Sequence, residues 1–301
     1  LPLLQMLLML LYKKAVRKVG VPDIIHAHFY SIAAIASVIK KKKNIPFFIT
    51  EHSSKLNKDK SFISELDKAL TAKAYSHADT VIAVSKALSI NLKNNFDIDN
   101  VVVHDIVDVD NYHYVKNNNN QHFNFISVGN LIHLKGFDLL INAFNKAFAN
   151  DNNVFLNIVG DGIEKDNLQS LINQYDINDR VRLLGQKSRA ELCNIIRESD
   201  AFVLASRSET FGVVYIEAMA VGLPIIATIC GGPEEFVTNE TGLLIETNDL
   251  TALNDALIYM YEHYHEYDPN VISQYVYNNF SSSIIAQQYF DLYKLLTDFN
   301  G

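Results

Sequence analysis

Short apolar runs alternate with longer stretches of mixed polarity along the whole chain. The runs that predict strands are 23–29 (DIIHAHF), 46–50 (PFFIT), 80–85 (TVIAVS) and 101–107 (VVVHDIV). After a polar run at 116–121 (KNNNNQ) they resume at 123–129, 154–160, 181–185, 201–206, 224–228 and 241–245. Most are continuously apolar, as strands covered by helices on both faces must be. Between them lie helical patterns such as 137–149, where Leu140, Phe144 and Phe148 recur every four residues. The pattern predicts an α/β fold with parallel sheets.

The asparagine-rich run reads as a linker, 116–122, between two Rossmann-like domains. The expected organisation is 1–115 for the first domain, 123–268 for the second, and closing helices over 269–301 that cross back toward the first. Ligands of open α/β sheets bind beyond the carboxyl ends of the strands, so two such domains imply a cleft.

Composition narrows the classes. With 301 residues, 49% hydrophobic and 20% charged, the chain has enough apolar surface for sizeable cores and is neither disordered nor fibrous. Two cysteines, Cys193 and Cys230, exclude a disulfide scaffold and a multi-cysteine zinc site, and fit a reducing cytoplasm. No apolar run reaches the roughly 18 residues of a spanning helix. Charge is uneven: residues 1–60 carry eleven basic and three acidic side chains, while the rest is net acidic. A basic front beside the apolar stretch 3–12 suggests an anionic membrane surface as partner. Nucleic acid is not expected, because no aromatics interleave with Lys40–Lys43. The bland alternative is a solvated helix end, with the apolar face of 3–19 packed in the core.

The most informative stretch is SRSETFGVVYIEAMAVG (206–222). It follows a buried strand, places Glu209 just before a helix and puts Glu217 inside it. A helix N-terminus facing a cleft suits a phosphate, and two carboxylates can accept sugar hydroxyls. On spacing alone, Glu209 could equally cap the helix and Glu217 be an exposed helical residue.

Glu209-x7-Glu217 in this context resembles the signature of the retaining nucleotide-sugar glycosyltransferases of family 4, group 1, which have the GT-B fold. VGNLIHLKGFDLLINAF (128–144), IVGDGIEKDNL (158–168) and VRLLGQKSRAEL (181–192) resemble further family motifs in the family's order. PDIIHAHFY (22–30), TEHSS (50–54) and VIAVSKAL (81–88) resemble its amino-terminal domain. The resemblance implies GT-B: two Rossmann-like domains with parallel sheets facing across a cleft. It implies transfer of a hexose from a nucleoside diphosphate sugar to a lipid-linked or growing glycan acceptor.

Carried over by position, Glu217 takes the ribose, Glu209 the transferred sugar, and Lys135 the leaving diphosphate. The amides of Phe211, Gly212 and Val213 reach the diphosphate and sugar, and Leu184, Gly185 and Gln186 frame the base. Asn130 stands where the family usually has an arginine, so one cation is missing; Arg207 or His133 are the candidate substitutes. His28 is the acceptor-side histidine, with His26 as the alternative and His52 lining the same cleft. No cofactor or metal is expected. Asp108-x-Asp110, which matches a metal-binding motif of another glycosyltransferase fold, reads instead as a turn. Gly160-Asp161-Gly162 lacks the third glycine of a dinucleotide site.

The family's first domain opens with a strand, a glycine-rich loop and a helix, whereas here one helix over 3–19 precedes Pro22. The start of that domain is therefore expected to be absent, and donor binding to exceed transfer. A binding module with little transfer activity is the alternative, and a sugar-nucleotide epimerase a more distant one.

Overall fold

The structure, a computed structural model, describes residues 1–109, 112 and 122–297. Its contacts divide the chain into two compact units, 1–105 with 285–301, and 106–284. Each unit contains one wholly parallel sheet.

The first unit opens with α1 (Pro2–Val19) and continues β1 (Ile25–His28), α2 (Tyr30–Lys43), β2 (Phe47–Glu51), α3 (Glu65–Tyr75), β3 (Thr80–Ala83), α4 (Lys86–Phe96) and β4 (Val101–Val102). Its strands lie in the order β1-β2-β3-β4. Every residue of β2 is buried, which explains the unbroken apolar run. Serines start two of the helices: Ser64 accepts from the amide of Asp67, and Ser85 from that of Leu88.

The strand expected over 101–107 is shorter. Only Val101 and Val102 pair with β3, and Val107, already part of the second unit, makes an isolated parallel bridge to Ser281 of that same unit. The ladder ends because β3 ends; its last bond runs from the amide of Val103 to the carbonyl of Ala83.

Helix α1 departs more sharply from the bland reading. None of its residues is buried, and Leu3, Leu4, Met6, Leu7, Leu10 and Leu11 are all exposed. Gln5 ties it to α2 by donating to the Ala34 carbonyl at 3.0 Å. A groove of about 660 Å³ between the two helices is lined by Met6, Met9 and Leu10 and rimmed by Lys13, Lys42 and Lys43.

The second unit runs β5 (Phe123–Val128), α5 (Phe137–Ala147), β6 (Val154–Val159), α6 (Lys165–Gln174), β7 (Val181–Gly185), α7 (Arg189–Arg197), β8 (Ala201–Leu204), α8 (Val213–Ala220), β9 (Ile225–Thr228), β10 (Gly242–Ile245), α9 (Leu250–His263) and α10 (Pro269–Phe280). The sheet order is β10-β9-β8-β5-β6-β7. Leu140 and Phe144 of α5 are fully buried, and Phe148 nearly so, confirming the period-four face. Truncating such a phenylalanine to alanine costs about 3–5 kcal/mol.

The last helix, α11 (Ser282–Thr297), supplies Ile285 to the core of the first unit, against Phe48, Ile82 and Val103. Tyr289, Leu292, Tyr293 and Leu296 pack on the same cluster. Of the linker 116–122, all but His122 lies outside the described residues, as does Asp110 of the Asp-x-Asp pair.

Candidate functional site

In the second sheet the chain steps from β5 outward to β6 and β7, then returns to place β8 on the other side of β5. The connections after β5 and β8 therefore diverge, and a crevice opens beyond the carboxyl ends of these two strands. Both connections bring a charged side chain there. A one-turn helix, His133–Lys135, follows β5, and Glu209 lies in the loop after β8. The Lys135 Nζ is 2.6 Å from Glu209 Oε1, with side-chain exposures of 20% and 8%. Ser206 Oγ donates to the same carboxylate oxygen at 2.7 Å. A carboxylate this deep needs such partners, because burying an unpaired charge is costly.

Glycine makes the close approach possible. Gly136 follows Lys135 at φ +66°, and a Cβ there would lie 2.0 Å from the Ala205 carbonyl oxygen. Gly212 caps α8 at φ +98° and frees the helix start of a side chain. Phe211 is buried against Phe236 and Phe280, and its carbonyl packs so closely on Gly232 that a Cβ there would lie 2.1 Å from it. Glu209 does not cap α8; the capping position is Gly212.

Glu217, in the second turn of α8, is partly buried and stands apart from the Lys135–Glu209 pair in its partners. Burial raises its pKa, while the Tyr112 hydroxyl and Arg189 pull it back and Asp108 adds to the rise. The Tyr112 hydroxyl is buried within electrostatic reach of Glu217 but makes no well-formed hydrogen bond among the described residues. Arg189, at the start of α7, is 3.2 Å from Asp108. Leu184, Gly185 and Gln186 end and follow β7, with the Gly185 carbonyl accepting from the Gly160 amide at 3.0 Å.

Asn130 is exposed just after β5. Of the two candidate substitutes for its missing cation, Arg207 is already committed to other partners. Arg207 holds Asp138 with two hydrogen bonds, 2.9 and 2.8 Å, donates to Asn248 at 2.7 Å, and also bonds the His133 carbonyl. Burial disfavours ionisation of Asp138, yet the guanidinium more than offsets it and holds the carboxyl below its usual range. Cys230, also near Glu209, is no nucleophile at neutral pH, because burial pushes its thiol up to about 12.

In the first unit, β1 and β2 end side by side and bring three histidines together. His26 and His28 stack with ring centroids 4.7 Å apart, and His28 and His52 at 5.1 Å. His26 bonds Tyr293 Oη at 2.6 Å and Thr50 Oγ1 at 2.7 Å. Burial, with the neighbouring rings of His28 and His52, pushes it down to about 4. Both its nitrogens are therefore satisfied, and His26 is a packing residue. His28 is exposed; its Nδ1 is 2.8 Å from His52 Nε2, and His52 Nδ1 is 2.9 Å from Asp105 Oδ1. Burial and His52 lower the His28 pKa, with Asp105 acting against them.

The buried carboxylate of Glu51 holds these strand ends in place. Its Oε2 accepts from the Tyr30 amide and the Tyr75 hydroxyl, both at 2.8 Å, and its Oε1 from the amides of His52 and Ser53. Phe29, between His28 and α2, has φ +66°, a sparsely populated conformation for a bulky residue. No local sequence pattern distinguishes Asp105, Glu51, Ser206 or Tyr112, whose roles only the fold reveals.

Among the described residues, no group of three or more His, Cys, Asp or Glu side chains could hold a metal ion. No helix is long and apolar enough to cross a membrane.

Comparison with known proteins gives matches over both units. A family profile described as glycosyl transferases group 1 matches residues 108–278, and one described as glycosyltransferase family 4 matches 2–111. An uncharacterized glycosyltransferase of Methanocaldococcus jannaschii is 29% identical over 238 residues, 78% of this chain and 64% of that protein. The N-acetyl-alpha-D-glucosaminyl L-malate synthase of Bacillus anthracis is 34% identical over 181 residues, 58% of this chain and 47% of its own length. The chain thus spans less than two thirds of these relatives. Anabaena HepE, solved in complex with UDP, superimposes with a TM-score of 0.80 at 21% identity, covering 94% of this chain and 81% of that one.

Proposed function

The chain belongs to the group 1 glycosyl transferases, of GT-B fold, and from that we propose that it transfers a hexose from a nucleoside diphosphate sugar, with retention, to a lipid-linked or growing glycan acceptor. The observation that supports this reading is the meeting of Lys135 and Glu209 at the switch point of the second sheet. An ammonium group has three donors, and one bond to Glu209 leaves two for phosphate oxygens. As the bond to the sugar breaks, negative charge grows on the diphosphate, and a cation fixed in advance stabilises it. Glu209 accepts hydroxyls of the transferred sugar, and Glu217 those of the ribose. The amides of Phe211, Gly212 and Val213 at the start of α8 reach the diphosphate and sugar. Asn130, Leu184, Gly185 and Gln186 frame the nucleotide, and His28 serves on the acceptor side. Lys135 and the helix amides neutralise the diphosphate in this scheme without a divalent metal. A nucleotide complex of HepE, which shares the fold, is in keeping with such a donor.

The protein works, in this reading, in the cytoplasm at the inner face of an anionic membrane. Supporting this, α1 is unburied and apolar on one side, and Lys13, Lys14, Arg17 and Lys18 follow its apolar stretch. Lys40–Lys43 close α2 beside it, and neither helix has an acid in its first turn.

Incubation with a panel of labelled nucleotide sugars and a lipid-linked or oligosaccharide acceptor tests the function. Label in the acceptor with the anomeric configuration of the donor supports it. Epimerised donor, or binding with neither transfer nor hydrolysis, refutes it.

A further inference from the structure

The Tyr112 hydroxyl is shut away from water, in a residue only 2% exposed, and it has no hydrogen-bond partner in good geometry among the described residues. A buried hydroxyl left in that state is disfavoured and calls for an explanation. Two charged groups act on it, the Glu217 carboxylate and the Arg189 guanidinium, and both belong with Tyr112 to the second unit. A guanidinium only donates and an ionised carboxylate only accepts, whereas a hydroxyl does both. A hydroxyl set between them therefore takes a bond from Arg189 and gives its own proton to Glu217. The reverse order is closed, because neither neighbour can exchange roles.

We infer that Tyr112, braced by Arg189 and Asp108, is a positioning residue: it draws one oxygen of the Glu217 carboxylate toward its hydroxyl and so presents the other to the ribose of a bound nucleotide.

The backbone fixes every member of this line. Val107 and Val109 are buried, Val107 bridges to Ser281, and the Tyr112 amide donates to the Val109 carbonyl at 3.0 Å, closing a turn. Asp108, between the two buried valines, keeps a side-chain exposure of 37%, and its Oδ2 lies 3.2 Å from Arg189 Nη2. The first aspartate of the Asp-x-Asp pattern thus anchors a guanidinium. Arg189 opens α7, whose start is set by a capping box between Ser188 and Glu191. Glu217 is held from below by its neighbours on α8, since Tyr215, Ile216 and Ala218 are all buried.

The charges agree with this arrangement. Asp108 alone beside Glu217 would oppose its ionisation, and Arg189, paired with Asp108, acts on Glu217 in the opposite sense. Cys193 faces the same groups, and burial raises the pKa of its thiol, which adds no further anion. Tyr112 stays protonated, because burial and the Glu217 carboxylate both raise its pKa, so it keeps a proton to give.

The inference rests on the reading of Glu217 as the ribose acceptor, and free nucleotides test the two separately. Calorimetry of the parent with UDP, GDP and ADP selects the tightest binder, which is then compared with its 2′-deoxy and 3′-deoxy forms. In the parent, loss of the hydroxyl that meets the carboxylate weakens binding about tenfold or more. Tyr112→Phe, which keeps the buried ring, binds the full nucleotide about fivefold less tightly and cuts the deoxy penalty to about threefold, as a carboxylate no longer held in place meets ribose and deoxyribose more alike. A residue that only packs leaves that penalty unchanged. Arg189→Met has the same two effects, and the double variant is no worse than either single one, since both act through one line.

An undiminished deoxy penalty in Tyr112→Phe, or additive losses in the double variant, overturns the inference while the ribose role of Glu217 stands. Parent-like affinity in Glu217→Ala, or no binding of any of the three nucleotides, overturns that reading and the inference with it.

Discussion

Lys135 and Glu209, 74 residues apart in sequence, stand 2.6 Å from each other with the carboxylate almost wholly buried. The pair joins the loop after β5 to the loop after β8 and leaves the lysine partly open to a ligand. Lys135→Met strips the carboxylate of its cation. It is expected to lower stability by roughly 3 kcal/mol, as breaking a buried pair does, and to abolish transfer. Lys135→Met with Glu209→Gln regains most of the stability in urea unfolding and none of the transfer. Equal stability of the single variant and the parent contradicts the pairing.

In the proposed reading, Glu209 and Glu217 hold different halves of a donor. Glu217→Ala would then remove bonds to ribose worth about 1.5–3 kcal/mol each, so affinity for free nucleoside diphosphate is expected to fall at least about tenfold in calorimetry. Glu209→Ala leaves free-nucleotide affinity in place and weakens binding of the sugar nucleotide. Tight binding of free nucleotide by Glu217→Ala contradicts the ribose role.

The environment of Glu217 adds a pH signature. Burial raises its pKa, and the charged form is the better acceptor of ribose hydroxyls. Nucleotide affinity therefore weakens as pH falls through that raised value. Tyr112→Phe, which removes a hydroxyl that holds the value down, moves the midpoint of this loss to higher pH. A midpoint that stays put shows that the hydroxyl does not act on the carboxylate.

His26 gives a stability signature of opposite origin. Its folded pKa, about 4, lies below the ordinary value near 6.5 of an unfolded chain. A depressed value means that the unfolded state binds the extra proton more readily. The contribution is complete above about pH 6.5 and is lost as pH falls toward 4. His26→Phe, measured by urea unfolding from pH 7.5 to pH 4, shows a flatter decline than the parent; parallel curves refute the assignment.

The basic, apolar front predicts adsorption to bilayers. Each Lys or Arg near an anionic surface contributes about 1 kcal/mol, and salt screens it. Co-sedimentation with anionic liposomes exceeds that with neutral ones and fades at high salt. Replacing Lys42 and Lys43 with Glu at the rim of the α1–α2 groove weakens it. Sedimentation indifferent to lipid charge sinks the idea.

The strands of the described residues were legible as apolar runs, most plainly β2, β8 and β9, where burial of every residue leaves no alternation to misread. What pattern could not give was where a ladder stops, as at Val102, since that depends on the length of the neighbouring strand. The donor-site motifs were legible through family resemblance, which named Lys135 and Glu209 without saying that they pair. Arg207 shows the limit most clearly. The sequence offers it as a spare cation, and the fold commits it to Asp138, 69 residues away. Asp105 is hidden in the sequence for the same reason: its partner His52 lies in the loop after β2, and no period links them.

The last helix makes the first unit discontinuous, with Ile285 and Tyr293 completing a core and a histidine cage begun near residue 25. A ribosome delivers those groups some 260 residues apart, at about 5–20 residues per second. For all that interval the nascent first sheet lacks its closing helix, whereas the second unit, 106–284, is already whole when residue 284 emerges. Synthesis therefore favours a reversed order: the later-made unit can complete its contacts first, and the earlier one closes only when residues 285–296 are released.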